Sequence, residues 1–133
     1  MIGLDTNVLV RYIVQDEPAQ SAVATRIFED ELSAVNKGYV CPVVLCEVVW
    51  VLARAYRQKK AKLCEVVRTL LLADSLEIGH SDAVWRALRD FESGRADFSD
   101  YLIGEINREC GTDATLTFDR SAAITNRLFR FAE

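Results

Sequence analysis

Histidine and proline are nearly missing from this chain, and the shortage narrows its chemistry before any motif is read. His80 is the only histidine in 133 residues, which argues against a histidine-based catalytic triad and against a histidine-rich metal cluster. Four cysteines (Cys41, Cys46, Cys64 and Cys110) are scattered without a C-x-x-C pair. A structural zinc site is therefore not expected, and the thiols read as small buried groups in a reducing compartment. No apolar run reaches the roughly 18–20 residues needed to cross a bilayer. No basic segment leads into an apolar signal core at the amino terminus, so a cytoplasmic location is expected. Glycine-rich phosphate loops of the form G-x-x-x-x-G-K-[ST] are missing, as is the G-x-S-x-G elbow of serine hydrolases. Repeats, low-complexity tracts and linkers are also lacking, and one domain over residues 1–133 is expected.

What is present is ordinary for a globular chain: half the residues are hydrophobic and 27% are charged. The net charge of −4 is unevenly spread. Residues 54–68, "RAYRQKKAKLCEVVR", hold six basic side chains against one acidic, a local +5 that leaves −9 for the rest. A basic patch on an acidic body is a landing surface for phosphates or simply a solvated helical surface; charge alone does not choose.

Short apolar runs alternate with helical patterns. "MIGLD", "GYVCP", "LEIGH" and "ATLTFD" read as strands. Helices are expected over about Asn7–Val14, then in "EPAQSAVATRIFEDEL", "PVVLCEVVWVLARAY", "KAKLCEVVRTLLLAD", "SDAVWRALRDFESG", "DFSDYLIGEINREC" and "RSAAITNRLF". Pro18 and Pro42 suit first-turn positions, Ser81 an N-cap and Gly94 a stop. The near-continuous apolar helix after Pro42 predicts burial over most of its surface. Strands separated by helices imply parallel pairing, hence an α/β class: an α/β/α sandwich with a narrow sheet and helices on both faces. In such folds the functional crevice lies beyond the carboxyl ends of the strands.

Asp5 and Asp119 each end a strand candidate, "IGLD" and "LTFD". Glu47 interrupts an apolar helix and is expected to be at least partly buried, where an ionised carboxylate needs a partner or a cation. Asp97 and Asp100 lie three apart at a helix start, nearly on one face. Each acid also has a plainer role open to it: a cap at Asp5 or Asp97, dipole compensation at Asp100, a turn at Asp119. If they converge, like charges 4 Å apart repel by about 4 kcal/mol at an effective dielectric near 20. Either some stay protonated or a cation sits among them. All-oxygen donors select Mg²⁺ or Mn²⁺.

"MIGLDTNVLV", "PVVLCEVVWVLARAY", "ADFSDYLIGEINRECG" and "TLTFDRSAA" together resemble the four signature segments of PIN-domain nucleases. Their order and spacing resemble the VapC toxins of prokaryotic toxin–antitoxin pairs, over nearly the whole chain. The resemblance implies an endoribonuclease using Mg²⁺, with Mn²⁺ as a substitute, that hydrolyses RNA through a metal-activated water. It casts Asp5, Glu47, Asp100 and Asp119 as catalytic acids. Asp5 and Asp100 would be direct ligands, with Glu47, Asp97 and Asp119 as further candidates and Thr6 and Asn7 in support. It also implies a homodimer and a VapB-like antitoxin partner. Arg11, Arg54, Arg57, Lys59 and Lys60 are candidate RNA phosphate contacts. Trp50 and Trp85 read as core or interface packing ahead of RNA stacking, and Tyr12, Tyr56 and Tyr101 as amphipathic packing ahead of lining an RNA or antitoxin groove.

Two other readings compete. A haloacid-dehalogenase-like phosphotransferase also ends its first strand in an acid, but needs a second Asp where this chain has Asn7. A response-regulator-like or PIN-derived binding module without catalysis would have no use for four mutually repulsive acids.

Overall fold

The computed structural model describes residues 1–133, apart from the side chain of Thr125. Seven α-helices alternate with five short strands, all paired in parallel. The chain forms two compact units, Met1–Gly79 and His80–Glu133.

The first unit begins with β1 (Ile2–Gly3) and runs through α1 (Thr6–Val14) and α2 (Pro18–Arg26), the latter continuing as a π-helical turn over Ile27–Glu31. Strand β2 (Gly38–Val40), helices α3 (Pro42–Arg54) and α4 (Lys60–Leu72), and β3 (Leu76–Ile78) follow. The strands lie in the order β1-β2-β3. Ile2 is registered on Gly38, and Val40 on Ile78. Parallel neighbours cannot be joined by a tight turn, so each connection is a pair of helices. Their apolar faces supply the core: Leu9 and Val10 from α1, Leu45, Val48 and Leu52 from α3, Leu63 and Val67 from α4. Pro18 and Pro42 occupy the first turns of α2 and α3, where no backbone N–H is needed.

Two sequence expectations change here. Helix α3 is not buried over most of its surface: Val43, Glu47, Trp50 and Arg54 recur at helical spacing and all face solvent. Val43 is 68% exposed and Trp50 61%, so Trp50 is no core residue. An apolar sequence does not require burial on every side; the opposite face alone holds enough leucine and valine to anchor the helix. The thiols differ too. Only Cys64 is fully buried, Cys41 and Cys46 are half-buried, and Cys110 is exposed.

The second unit packs α5 (Ser81–Ser93) against α6 (Phe98–Glu109), followed by β4 (Thr115–Thr117), α7 (Arg120–Thr125) and β5 (Phe129–Phe131). Helix α5 buries Ala83, Val84, Ala87, Leu88 and Phe91, one stripe of a 3.6-residue period. Phe98, Tyr101 and Leu102 answer it from α6, with Phe91 edge-on to Phe98 at 5.8 Å. His80, in the left-handed region at φ 54°, takes the N-cap position expected for Ser81. Gly94 ends α5 in an extended backbone, and a β-carbon there would overlap the Tyr101 hydroxyl. The final helix is shorter than expected, and Phe129–Phe131 forms a fifth strand with Thr115 registered on Phe129. The strands thus form a three-stranded and a two-stranded parallel sheet in place of four strands in one.

Candidate functional site

Asp5 leaves β1 through Leu4 and becomes the N-cap of α1, its backbone extended at φ −88° and ψ 163°. Its Oδ1 accepts the Thr6 N–H at 2.8 Å. The cap and the exposed carboxylate coexist, since only one of the two oxygens is engaged. Behind it the Thr6 Oγ1 is buried without a hydrogen-bond partner, and Asn7 borders a cavity of about 400 Å³ with Arg11, Gln20 and Ala24. Glu47, expected to be partly buried, is exposed on the outward stripe of α3. A charge at that position needs no buried counter-ion, because water solvates it.

The second unit brings three acids together. Asp97 holds the N-cap position of α6, yet its side chain makes no capping hydrogen bond. Its carbonyl accepts the N–H groups of Asp100 at 3.0 Å and Tyr101 at 3.4 Å. A side-chain cap therefore does not account for this residue. Asp100 stands one turn on, and its carboxyl is pushed above the usual carboxylate range. Partial burial is the largest cause; the Asp97 backbone N–H opposes it, and the charges of Asp97 and Asp119 push further upward. Asp119 caps α7, its Oδ1 accepting Ser121 N–H at 2.9 Å and Ala122 N–H at 3.3 Å. Two separate stretches of sequence thus supply carboxylates whose charges act on Asp100.

The PIN-domain family model matches residues 2–127. The chain belongs to the PIN-domain family. No curated protein is similar enough to count as a match. PIN domains are generally metal-dependent nucleases acting on RNA and other nucleic acids, and the helices and parallel strands described above agree with the PIN fold.

A divalent ion suits this PIN domain's donors in kind. All candidate ligands are carboxylate oxygens, the preference of Mg²⁺ and Mn²⁺. Asp97 has a carboxylate unused by its own helix, and Asp100 is disfavoured as an anion by its neighbours, a penalty that a cation removes. Among the described residues, no group of three or more His, Cys, Asp or Glu side chains is already arranged to hold a metal ion.

The candidate phosphate contacts divide. Arg11 is committed within its own unit: Nε donates to Gln20 at 2.8 Å, and Nη1 reaches Tyr56 at 3.3 Å and Asp16 at 3.5 Å. That ties it to positioning α1 rather than leaving it open to a phosphate. Arg54, Arg57, Lys59 and Lys60 are exposed around the α3–α4 turn, where Arg57 adopts a left-handed backbone at φ 53°.

Sequence reasoning passed over Glu105, which is 1% exposed. Its Oε2 meets Arg86 Nε at 2.7 Å and Arg108 Nη2 at 3.0 Å. Arg86 continues to Glu109 at 3.0 Å, and Glu109 to His80 Nδ1 at 2.9 Å. Glu109 is held below the usual range by His80 and then by Arg86. The chain of charges ties α6 to α5 behind the helix turn that presents Asp97 and Asp100. The only hint in the sequence was a lone Glu105 on the apolar side of "YLIGEI".

Proposed function

We propose that this PIN domain, one domain over residues 1–133, is the toxin of a toxin–antitoxin pair: a Mg²⁺-dependent endoribonuclease. The observation that carries the reading is the acidic cluster of Asp97, Asp100 and Asp119, in which Asp100 is destabilised as an anion. Repelling carboxylates oppose folding unless a cation offsets them. The reading assigns direct ligation to Asp5 and Asp100, with Glu47, Asp97 and Asp119 as further ligands and Mn²⁺ as a substitute ion. When bound, the ion supplies Lewis-acid activation of a water and screens the charge of the phosphodiester.

The protein's part is positioning. The Asp5 cap fixes the turn after β1, so its second carboxylate oxygen stays outward, with Thr6 buried next to it and Asn7 exposed. The two N–H groups on Asp119 Oδ1 lock that carboxylate in one rotamer. Strands of RNA are met by the exposed bases Arg54, Arg57, Lys59 and Lys60. The solvent-facing Val43 and Trp50 suit a protein partner, which in this reading is a second copy or a VapB-like antitoxin. A cytoplasmic location follows from that role; among the described residues no helix is long and apolar enough to cross a membrane.

The test is cleavage of total RNA by purified protein with Mg²⁺, with EDTA, and with Asp100→Asn. Defined RNA ends only in the wild type with Mg²⁺ are expected. Cleavage that persists in EDTA ends the metal assignment, and a fully active Asp100→Asn removes Asp100 from the mechanism.

A further inference from the structure

A cavity of about 460 Å³ opens in the second unit where the end of α5 meets the first turns of α6 and the segment after α7. Asp90, Ser93, Arg95, Tyr101, Asn126 and Arg127 line it. One of these is a buried donor left over by the fold. Asn126 is 5% exposed; its Oδ1 accepts the Leu128 N–H at 2.9 Å, but its Nδ2 is buried with no partner. Tyr101 is 2% exposed, and its hydroxyl accepts the Ala96 N–H at 3.3 Å. A buried donor without a partner is costly, so such groups point to something that completes them. Arg95 and Arg127 add two exposed guanidinium groups, the Arg127 charge also acting on the Asp90 carboxylate.

The lining thus offers a neutral donor beneath and two cations at the mouth, against the single carboxylate of Asp90. A metal ion is excluded by the two arginines. An apolar ligand would leave the buried Asn126 donor unsatisfied. An oxyanion satisfies both, and guanidinium pairs match phosphate oxygens in charge and geometry. The volume is too large for bare phosphate and falls within the range of small-molecule sites, about 300–1,000 Å³. Asp90, the one anion of the lining, then has a use: it receives a ligand hydroxyl.

We propose that this cavity binds a phosphorylated sugar of nucleotide size, its phosphate on Arg95 and Arg127 and a hydroxyl on Asp90. The phosphate group is the shared chemistry of two sources, a free nucleotide and a nucleotide unit of an RNA strand. The proposal goes beyond the nuclease reading and stands or falls separately from it, because none of the six residues is a candidate metal ligand.

The test is calorimetric titration of the whole protein with AMP, in EDTA so that no cation bridges AMP to the acidic cluster. Adenosine, inorganic phosphate and a short RNA serve as parallel probes. Asn126→Asp retains the oxygen that accepts Leu128 N–H and replaces only the donor, placing an anion on the cavity floor. Arg127→Gln changes an exposed side chain and keeps the proposal testable should the first variant fail to fold. AMP binding weakened by at least about tenfold in both is expected, with adenosine binding far more weakly than AMP. RNA binding with the same variant sensitivity assigns the strand as a source; AMP binding alone assigns the free nucleotide. The proposal is overturned if neither AMP nor RNA binds, if adenosine binds as well as AMP, or if a folded variant binds AMP like the wild type.

Discussion

Glu105 and Arg86 meet at 2.7 Å, the carboxylate 1% exposed and the guanidinium reaching it from a neighbouring helix. Removing Arg86 leaves a buried anion with Arg108 alone. Losing one partner of a buried pair costs about 3–5 kcal/mol in general. Because Arg108 remains at 3.0 Å, Arg86→Met is expected to cost less than that but clearly more than a surface change. Urea denaturation measures it. A loss indistinguishable from zero would mean that Arg108 suffices.

Asp100 is disfavoured as an anion in the folded chain. Its carboxyl titrates above the unfolded value, so at neutral pH the ionised group works against folding. Asp100→Asn is therefore expected to raise the melting temperature of the metal-free protein while lowering RNA cleavage by more than about 100-fold. Differential scanning calorimetry in EDTA and a cleavage time course read the two effects. A lower melting temperature together with lost cleavage would instead mark Asp100 as structural.

Asp16 is held below the usual carboxylate range, chiefly because Tyr56 Oη donates to it at 2.7 Å, with Arg11 adding to the effect. A depressed carboxyl contributes stability above its unfolded value and loses it as pH falls through the folded one. In Tyr56→Phe the Asp16 carboxyl resonance is expected to titrate at higher pH, closer to about 3.9. An unchanged midpoint by NMR would transfer the cause to Arg11.

Burial pushes the Cys46 thiol up to about 11, whereas Cys110 is exposed at the end of α6. The thiolate is the reactive form. At pH 8, iodoacetamide is expected to label Cys110 many-fold faster than Cys46, as peptide mass spectrometry would resolve. Equal rates would mean that α3 opens readily.

Val43 and Trp50 lie on the outward stripe of α3, away from the core. Trp50→Glu is expected to leave stability within about 0.5 kcal/mol of the wild type. If α3 is the contact between copies, the same change yields monomer by light scattering; an unchanged mass assigns that face to another partner or to none.

Local chemistry made most of the fold readable. Pro18 and Pro42 opened their helices as anticipated, and Gly94 closed α5. The last helix is shorter than "RSAAITNRLF" implies because that stretch has no strong stop, and the alternation in Phe129–Phe131 spans only three residues. A period of two cannot be recognised over so short a stretch.

By itself, the sequence determined the α/β alternation, most of the helix starts and the set of acids offered to a cation, since these depend on neighbours a few residues apart. Tertiary structure alone decided which charges are buried. Glu47 sits in the more apolar helix and faces water, while Glu105 is enclosed because Arg86 and Arg108 stand beside it. A carboxylate leaves water only where cations replace its hydration, and the arrival of Arg86, from another helix, depends on packing.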